Sequence, residues 1–306
     1  MSELAKQPIE NSALPAAAIV AAGLLWGTMS LFTRPMGDLG LTPLQISFLR
    51  AALSSLILFV YLLFKDRAAL RIRLRDIWMF LGTGIVSLAF FNWCYFTTIE
   101  KGEASVAVCL LYTSPVFVML FSAVLFKEPI TRKKLTALVL SLLGAVLVSG
   151  LLSGAGGGQM TPALFVTGIG SGLFYAMYSI FSRFALAKYS FLTVVFYTFV
   201  FAALGMLPLC GAGAALRTSA GSGGGVLLTC GIALAATILP YLFYTAGLAR
   251  TENGKASILA TSEILMGSLI GIFFYHEPHG VGKLLGILCI FATVVLLNIG
   301  NKKSPQ

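Results

Sequence analysis

LLYTSPVFVMLFSAVLFKEP at positions 110–129 and LATSEILMGSLIGIFFYHEP at 259–278 decide the fold of this 306-residue chain. Each is a long apolar run that closes on a basic or imidazole residue followed by Glu-Pro. A bilayer core of roughly 30 Å takes about 20 such residues as a helix. Neither run alternates with period two, so helices are preferred to barrel strands. The runs lie 149 positions apart, and the same offset sets Arg34 on Arg183, Trp26 on Tyr175, Ile99 on Leu248 and Ala107 on Ala256. Unlike landmarks that coincide at one offset read as a duplicated unit, with the Gly-rich stretch 150–158 between the copies.

Outward from these runs, spans of the same kind are expected at 14–33, 41–64, 76–98, 105–126, 132–152, 161–184, 190–213, 224–248, 255–275 and 281–300. Composition agrees, with 58% hydrophobic and 10% charged residues against roughly 45–50% and about 25% in soluble domains. The expected fold class is therefore all-α integral membrane, ten transmembrane helices arranged as two inverted five-helix repeats. An odd number of helices per copy makes the second copy enter the membrane in the opposite orientation, a transporter signature. The organisation reads as a tail at 1–13, a first repeat at 14–152, a Gly-rich linker at 153–160, a second repeat at 161–300 and a tail at 301–306. The first apolar run is longer than a signal-peptide core and is read as a retained helix.

A net charge of +10 raises the question of nucleic acid, and position answers it. Lys65, Arg67, Arg71, Arg73 and Arg75 follow the second run, and Lys127, Arg132, Lys133 and Lys134 follow the fourth. With Lys6, Arg183, Lys188, Arg250, Lys255, Lys302 and Lys303 they share one side, leaving Arg34, Lys101, Arg217 and Lys283 on the other. The positive-inside rule then puts both termini in the cytoplasm of a cell (inner) membrane, with the lipid bilayer as partner and no nucleic acid. Cys94, Cys109, Cys210, Cys230 and Cys289 all fall in apolar runs without a CxxC pair, and read as packing residues. Residues 211–225, rich in Gly, Ser and Ala, read as a flexible loop.

Several short motifs carry a family resemblance. Leu24-Leu25-Trp26-Gly27-Thr28 through Arg34, Arg50-Ala51, Ser114-Pro115, Lys127-Glu128-Pro129, Thr261-Ser262-Glu263 and His276-Glu277-Pro278 occur in an order and spacing that resembles EamA-like proteins of the drug/metabolite transporter superfamily. The likeness runs through both halves. It implies ten helices in two inverted repeats around a central cavity, with export or exchange of small metabolites; the aromatic-rich composition is similar to the amino-acid exporter branch. The chain departs from the family at Ile264, where proline often follows the glutamate, so no proline distorts the helix there.

Intramembrane ionisable groups are few. Glu263 is costly at the centre of a span, by roughly 2.5–3.5 kcal/mol on insertion scales, and reads either as a solute- or proton-binding group or as a structural hydrogen-bond partner. Arg50, near the outer half of its span, reads as a residue that snorkels to the headgroups, with neutralisation of a carboxylate as the alternative. Asn92 with Tyr95, Tyr175 with Tyr178, and Tyr241 with Tyr244 form i, i+3 pairs, each on one helix face. Polar-tipped aromatics of this kind enclose an apolar side chain and hydrogen-bond its polar end. The substrate-binding set expected is thus Trp26, Asn92, Tyr95, Tyr112, Ser114, Tyr175, Tyr178, Tyr244 and Glu263, and packing or interfacial belts compete for each of the aromatics. Tyr61, Tyr189 and Tyr275, near helix ends, read as belt residues. Pro115 and Pro240 lack an N–H mid-span and are the expected hinges.

His276 and His279 flank Glu277 and Pro278 without enough further ligands for a metal. The reading that emerges is a secondary transporter of a small-molecule solute, with a monomer as the expected state and without metal or cofactor. Amino acids, aromatic or otherwise apolar, moving outward by alternating access come first; drugs or nucleotide-derived solutes are alternatives. An intramembrane enzyme is disfavoured because no metalloprotease or nucleophile-elbow motif is present. A channel is disfavoured because no filter-like ring is present.

Overall fold

The computed structural model describes residues 13–102, 104–151, 161–277 and 280–298; the expected terminal tails, the 153–160 linker and His279 lie outside the described residues. All regular structure described is helical. Eight helices are long and apolar enough to cross a membrane: α1 (Ala13–Asp38), α2 (Pro43–Lys65), α3 (Leu74–Lys101), α4 (Ala104–Leu125), α6 (Pro162–Leu186), α8 (Gly223–Leu248), α9 (Asn253–Phe273) and α10 (Val281–Asn298). Packed among them are α5 (Arg132–Ser149), which opens on three basic residues, and α7 (Phe191–Met206), of 16 residues. The fold is an all-α, multi-spanning membrane fold.

Local sequence sets the helix starts. Thr42 caps α2 in a capping box with Gln45, and Thr131, Thr161, Ser190 and Ser222 each accept a hydrogen bond from a first-turn N–H. Such caps satisfy orphan donors that lipid cannot. The helix ends follow the two Glu-Pro motifs. Lys127 and His276 adopt left-handed backbone, φ 55° and 52°, and the next N–H, of Glu128 or Glu277, returns to Ser122 or Gly271 at 3.2 or 2.9 Å. This is a Schellman-type stop, and Pro129 then bars continuation of the helix.

Irregularities recur at the offset seen in the sequence. α4 breaks at Tyr112–Thr113 and α9 at Thr261–Ser262, while π-helical turns at Gly82–Ala89 in α3 and Leu234–Ile238 in α8 end at matching positions. α9 breaks although Ile264 is not proline. The Thr261 hydroxyl donates to Ile258 O at 2.7 Å, in competition with the helical ladder, and the Ser262 hydroxyl donates across to Val20 O of α1 at 3.1 Å. α1 has a further break at Thr28–Met29 with no counterpart in α6.

Packing is pairwise and matched. α1 packs on α8 and α9 as α6 packs on α3 and α4, while α2 meets α7 and α5 meets α10. The approaches are close where side chains vanish. A Cβ on Gly27 would stand 2.6 Å from Glu263 O, and one on Gly286 would stand 2.8 Å from Gly144 O. Small residues at such seams let helices associate in lipid without a hydrophobic driving force. Outside, Leu56, Phe59, Val60, Phe64, Val124, Leu227, Phe273, Leu288 and similar residues are exposed as a lipid-facing surface.

The loop expectation is corrected. The stretch 211–225 holds a helix, Ala212–Ala220, and the first turn of α8, because Gly211 takes a left-handed turn and Ser222 caps. Of the three tyrosines near helix ends, two tie elements together: the Tyr189 hydroxyl donates to Asp76 at 2.7 Å and the Tyr275 hydroxyl to Ser30 O at 3.1 Å. Tyr61 is exposed.

Candidate functional site

The polar faces of these helices converge on a cavity of ≈ 840 Å³. It opens on the face that bears Arg34, Glu277 and Lys283 and reaches inward past Ser47, Arg50, Asn92, Tyr95, Tyr112 and Glu263 to Trp26, Tyr175 and Tyr241. Beyond lies a small space of ≈ 20 Å³, lined by Ser114, Tyr178, Ser179 and Tyr244 together with the same Trp26, Tyr175 and Tyr241. The two spaces share an aromatic floor. Trp26 meets Tyr241 edge-on at 5.1 Å, Tyr241 meets Tyr178 and Phe199 at 5.1 Å each, and Trp26 lies 5.4 Å from Tyr244. Hydrogen bonds fix the rings behind it, Tyr178 to Thr245 at 2.6 Å and Tyr244 to Ser179 at 2.7 Å.

The expected site residues therefore divide. Trp26, Asn92, Tyr95, Tyr112, Tyr175 and Glu263 line the large cavity, whereas Ser114, Tyr178 and Tyr244 lie behind the floor. The i, i+3 tyrosine pair of α6 straddles that floor. Asn92 is spent on structure: its amide nitrogen donates to Leu88 O at 2.7 Å and its oxygen accepts from Ser47 at 3.0 Å. Tyr112 stands beside the Glu263 carboxylate across the breaks of α4 and α9, within electrostatic reach of it. Pro115 sits just after the α4 break and Pro240 just after the π-helical turns of α8.

Arg50 does not snorkel. It is buried, 7% exposed, and lines the cavity. Tyr241 and Phe91 also line it. Sequence reasoning left these three out of the site, although the intramembrane charge itself was the signal for Arg50.

The two ends of the molecule are held differently. Opposite the mouth, the Glu128 carboxylate accepts from the N–H groups of Asn253 (2.8 Å) and Gly254 (3.1 Å), capping α9, which has no cap of its own. Beside it Arg183 donates to Leu248 O at 2.9 Å and Thr251 O at 3.1 Å, and Lys134 pairs with Glu252 at 2.6 Å. At the mouth, their counterparts at the sequence offset pair among themselves: Glu277 with Arg34, and with Lys283 at 3.1 Å. The Arg34 hydrogen bond holds the Glu277 carboxyl below the usual glutamate range. Among the described residues no group of three His, Cys, Asp or Glu side chains is placed to hold a metal ion.

Comparison with known proteins places this architecture. The sequence model of the EamA-like transporter family matches residues 14–150 and again 163–299. An uncharacterized transporter of Archaeoglobus fulgidus is 31% identical over 289 residues, 92% of this chain and 94% of that one. The pseudopaline exporter CntI of Pseudomonas aeruginosa PAO1 is 27% identical over 257 residues, 82% of this chain and 85% of its own. A solved crystal structure shares the fold at a TM-score of 0.76 and 18% identity, covering 92% of this chain and 95% of that one. With both halves matched by one family, the chain belongs to the EamA-like transporter family, as a multi-pass membrane secondary transporter of small solutes and not an enzyme.

Proposed function

We propose that the chain exports small metabolites, amino acids foremost, by alternating access between two inverted five-helix repeats, 14–152 and 161–300, with α5 and α7 also crossing the membrane and both termini cytoplasmic. The observation that carries this is the one-sided cavity, open at the Arg34 face and shut at the other by the aromatic floor and the Glu128 cap. Support for inversion comes from breaks, π-helical turns and left-handed stops that repeat at the sequence offset. In a repeat-swapped state Glu277 takes the role of Glu128 and caps α4 at Ala104, while Arg34 takes that of Arg183 over the carbonyls of Ile99 and Gly102. Outward direction accords with the exporter named among the relatives.

In this reading Trp26, Tyr95, Tyr112, Tyr175 and Glu263 contact the solute from the open side, while Asn92 lines the cavity and holds its helix to Ser47. Ser114, Tyr178 and Tyr244 contact it once the floor parts, and Pro115 and Pro240 act as hinges. Two experiments test the reading. Labelled amino acids are offered to proteoliposomes holding the purified protein, with and without a proton gradient; absence of protein-dependent flux for every amino acid refutes amino-acid export. Tags on Gln306 and in the 65–75 loop are expected in the cytoplasm and one in 211–225 on the opposite face; finding the last two together refutes the inverted repeat.

A further inference from the structure

Arg50 is aimed into the cavity by its own helix. On α2, Ser47 precedes it by three residues and Ser54 follows by four, which places all three on one face. Ser47 donates to Asn92 at 3.0 Å and Ser54, fully buried, donates to Ala233 O at 3.3 Å, so this face is pinned inward while Leu56, Phe59 and Tyr61 face outward. The guanidinium cannot swing to the headgroups without breaking that register. Among the described residues it makes no hydrogen bond and no ion pair, although it is more than nine-tenths buried. A buried, unpaired guanidinium is costly, and a planar fork of donors that faces a solute cavity offers a carboxylate a bidentate partner.

The cavity holds a second charge. Glu263 projects from α9 beside Tyr112, and it forms no ion pair with Arg50. Tyr175 and Tyr241 lie within electrostatic reach of both groups. The other charged side chains of the cavity, Arg34, Lys283 and Glu277, are paired with one another at the mouth. One unpaired cation and one carboxylate, separated by tyrosine rings, complement a solute of zero net charge that carries its own opposite charges at two places.

We infer that Arg50 is the anchor for a carboxylate of the transported solute, whose cationic group faces Glu263 while its apolar part lies against Trp26, Phe91, Tyr175 and Tyr241. This rests on the transporter reading above and names its substrate class as zwitterions of amino-acid type. A phosphate is disfavoured, since a single guanidinium matches one carboxylate charge and Glu263 repels a second negative charge.

The test uses the full-length protein in lipid nanodiscs, with tryptophan fluorescence as readout. The probes are each proteinogenic amino acid, the amine each yields on decarboxylation, potassium chloride and potassium phosphate. We expect at least one amino acid to bind and its amine to bind roughly 10- to 100-fold more weakly, the loss of a charge-assisted contact. Arg50→Gln should weaken the amino acid by the same factor, and Arg50→Lys by an intermediate one. The comparison of acid with amine in the unmodified protein stands even if a variant fails to fold. Equal binding of acid and amine, unchanged affinity in Arg50→Gln, response to inorganic anions alone, or silence across the panel each overturns the assignment. Counterflow in proteoliposomes separates the two readings. A solute bound through its carboxylate but not moved refutes transport and spares the Arg50 anchor, whereas movement without preference for the carboxylate does the reverse.

Discussion

Glu128→Ala removes the carboxylate that caps α9 from a distant part of the chain. Two hydrogen bonds are lost, at 2.8 and 3.1 Å, along with a negative charge at a helix N-terminus. Hydrogen bonds to a charged group are worth about 1.5–3 kcal/mol, and loss of a cap typically costs about 1 kcal/mol, so about 2 kcal/mol is the expected effect. Under the proposed alternating access these contacts belong to the state in which this end is shut, so the loss falls on one side of the equilibrium and is expected to change the ratio of the two states by roughly 30-fold. The shut end has little reserve, because the buried side-chain amide of Asn253 makes no hydrogen bond there. The assay uses protein with its native cysteines replaced and a single cysteine at Val108, a half-buried residue of the cavity wall, in sealed vesicles of known orientation, exposed to a membrane-impermeant maleimide. Without the Glu128 change, labelling is fast from the Arg34 face. With it, labelling from that face slows and labelling from the opposite face appears, and Glu128→Gln falls between the two. Identical labelling from the Arg34 face with and without Glu128 refutes the role of this cap as a latch.

The mouth pair should matter less: Arg34 and Glu277 are 49% and 35% exposed, so Glu277→Gln shifts the same labelling ratio by the roughly 0–1 kcal/mol of an exposed pair, and a shift as large as that of Glu128→Ala would contradict this. Because Arg34 holds the Glu277 carboxyl low, that pair is fully formed above the usual glutamate range and is lost only as pH falls through the depressed value; labelling that changes in mild acid counts against it. Glu263→Gln should abolish any response of transport to pH while leaving the protein inserted, and an unchanged pH profile would reduce Glu263 to a structural role beside Tyr112. Cysteine at Tyr95 should react with water-soluble reagents from the Arg34 face, whereas cysteine at Tyr178, behind the floor, should react slowly; equal rates would mean that the floor is open.

Much of the helix layout is legible in the sequence because lipid imposes length and apolarity on each span. The second run expected at 41–64 is α2, Pro43–Lys65, and the tenth expected at 281–300 is α10, Val281–Asn298. The Glu-Pro motifs were visible as landmarks, but their work as left-handed stops required the backbone. The seventh span, expected to reach 213, ends at Met206, since hydropathy does not report where a helix turns into the interface. Side-chain direction was the weakest link. Periodicity placed Tyr175 and Tyr178 on one face, yet Tyr175 belongs to the floor and Tyr178 lies behind it, and Arg50 looked free to reach the headgroups because the two serines that pin its helix are individually unremarkable residues.

The seam between α5 and α10 bears on how the protein is made. Gly144 and Gly286 bring the two backbones within reach of each other, and the Thr293 hydroxyl donates across to Ala137 O at 3.4 Å. α5 leaves the ribosome long before α10 exists, so the groove beside Gly144 faces lipid or a chaperone while the whole second half is threaded into the membrane. Closure of that groove is thus a late event in biogenesis. A chain stalled or cut before α10 leaves the glycine groove of α5 without the helix that fills it.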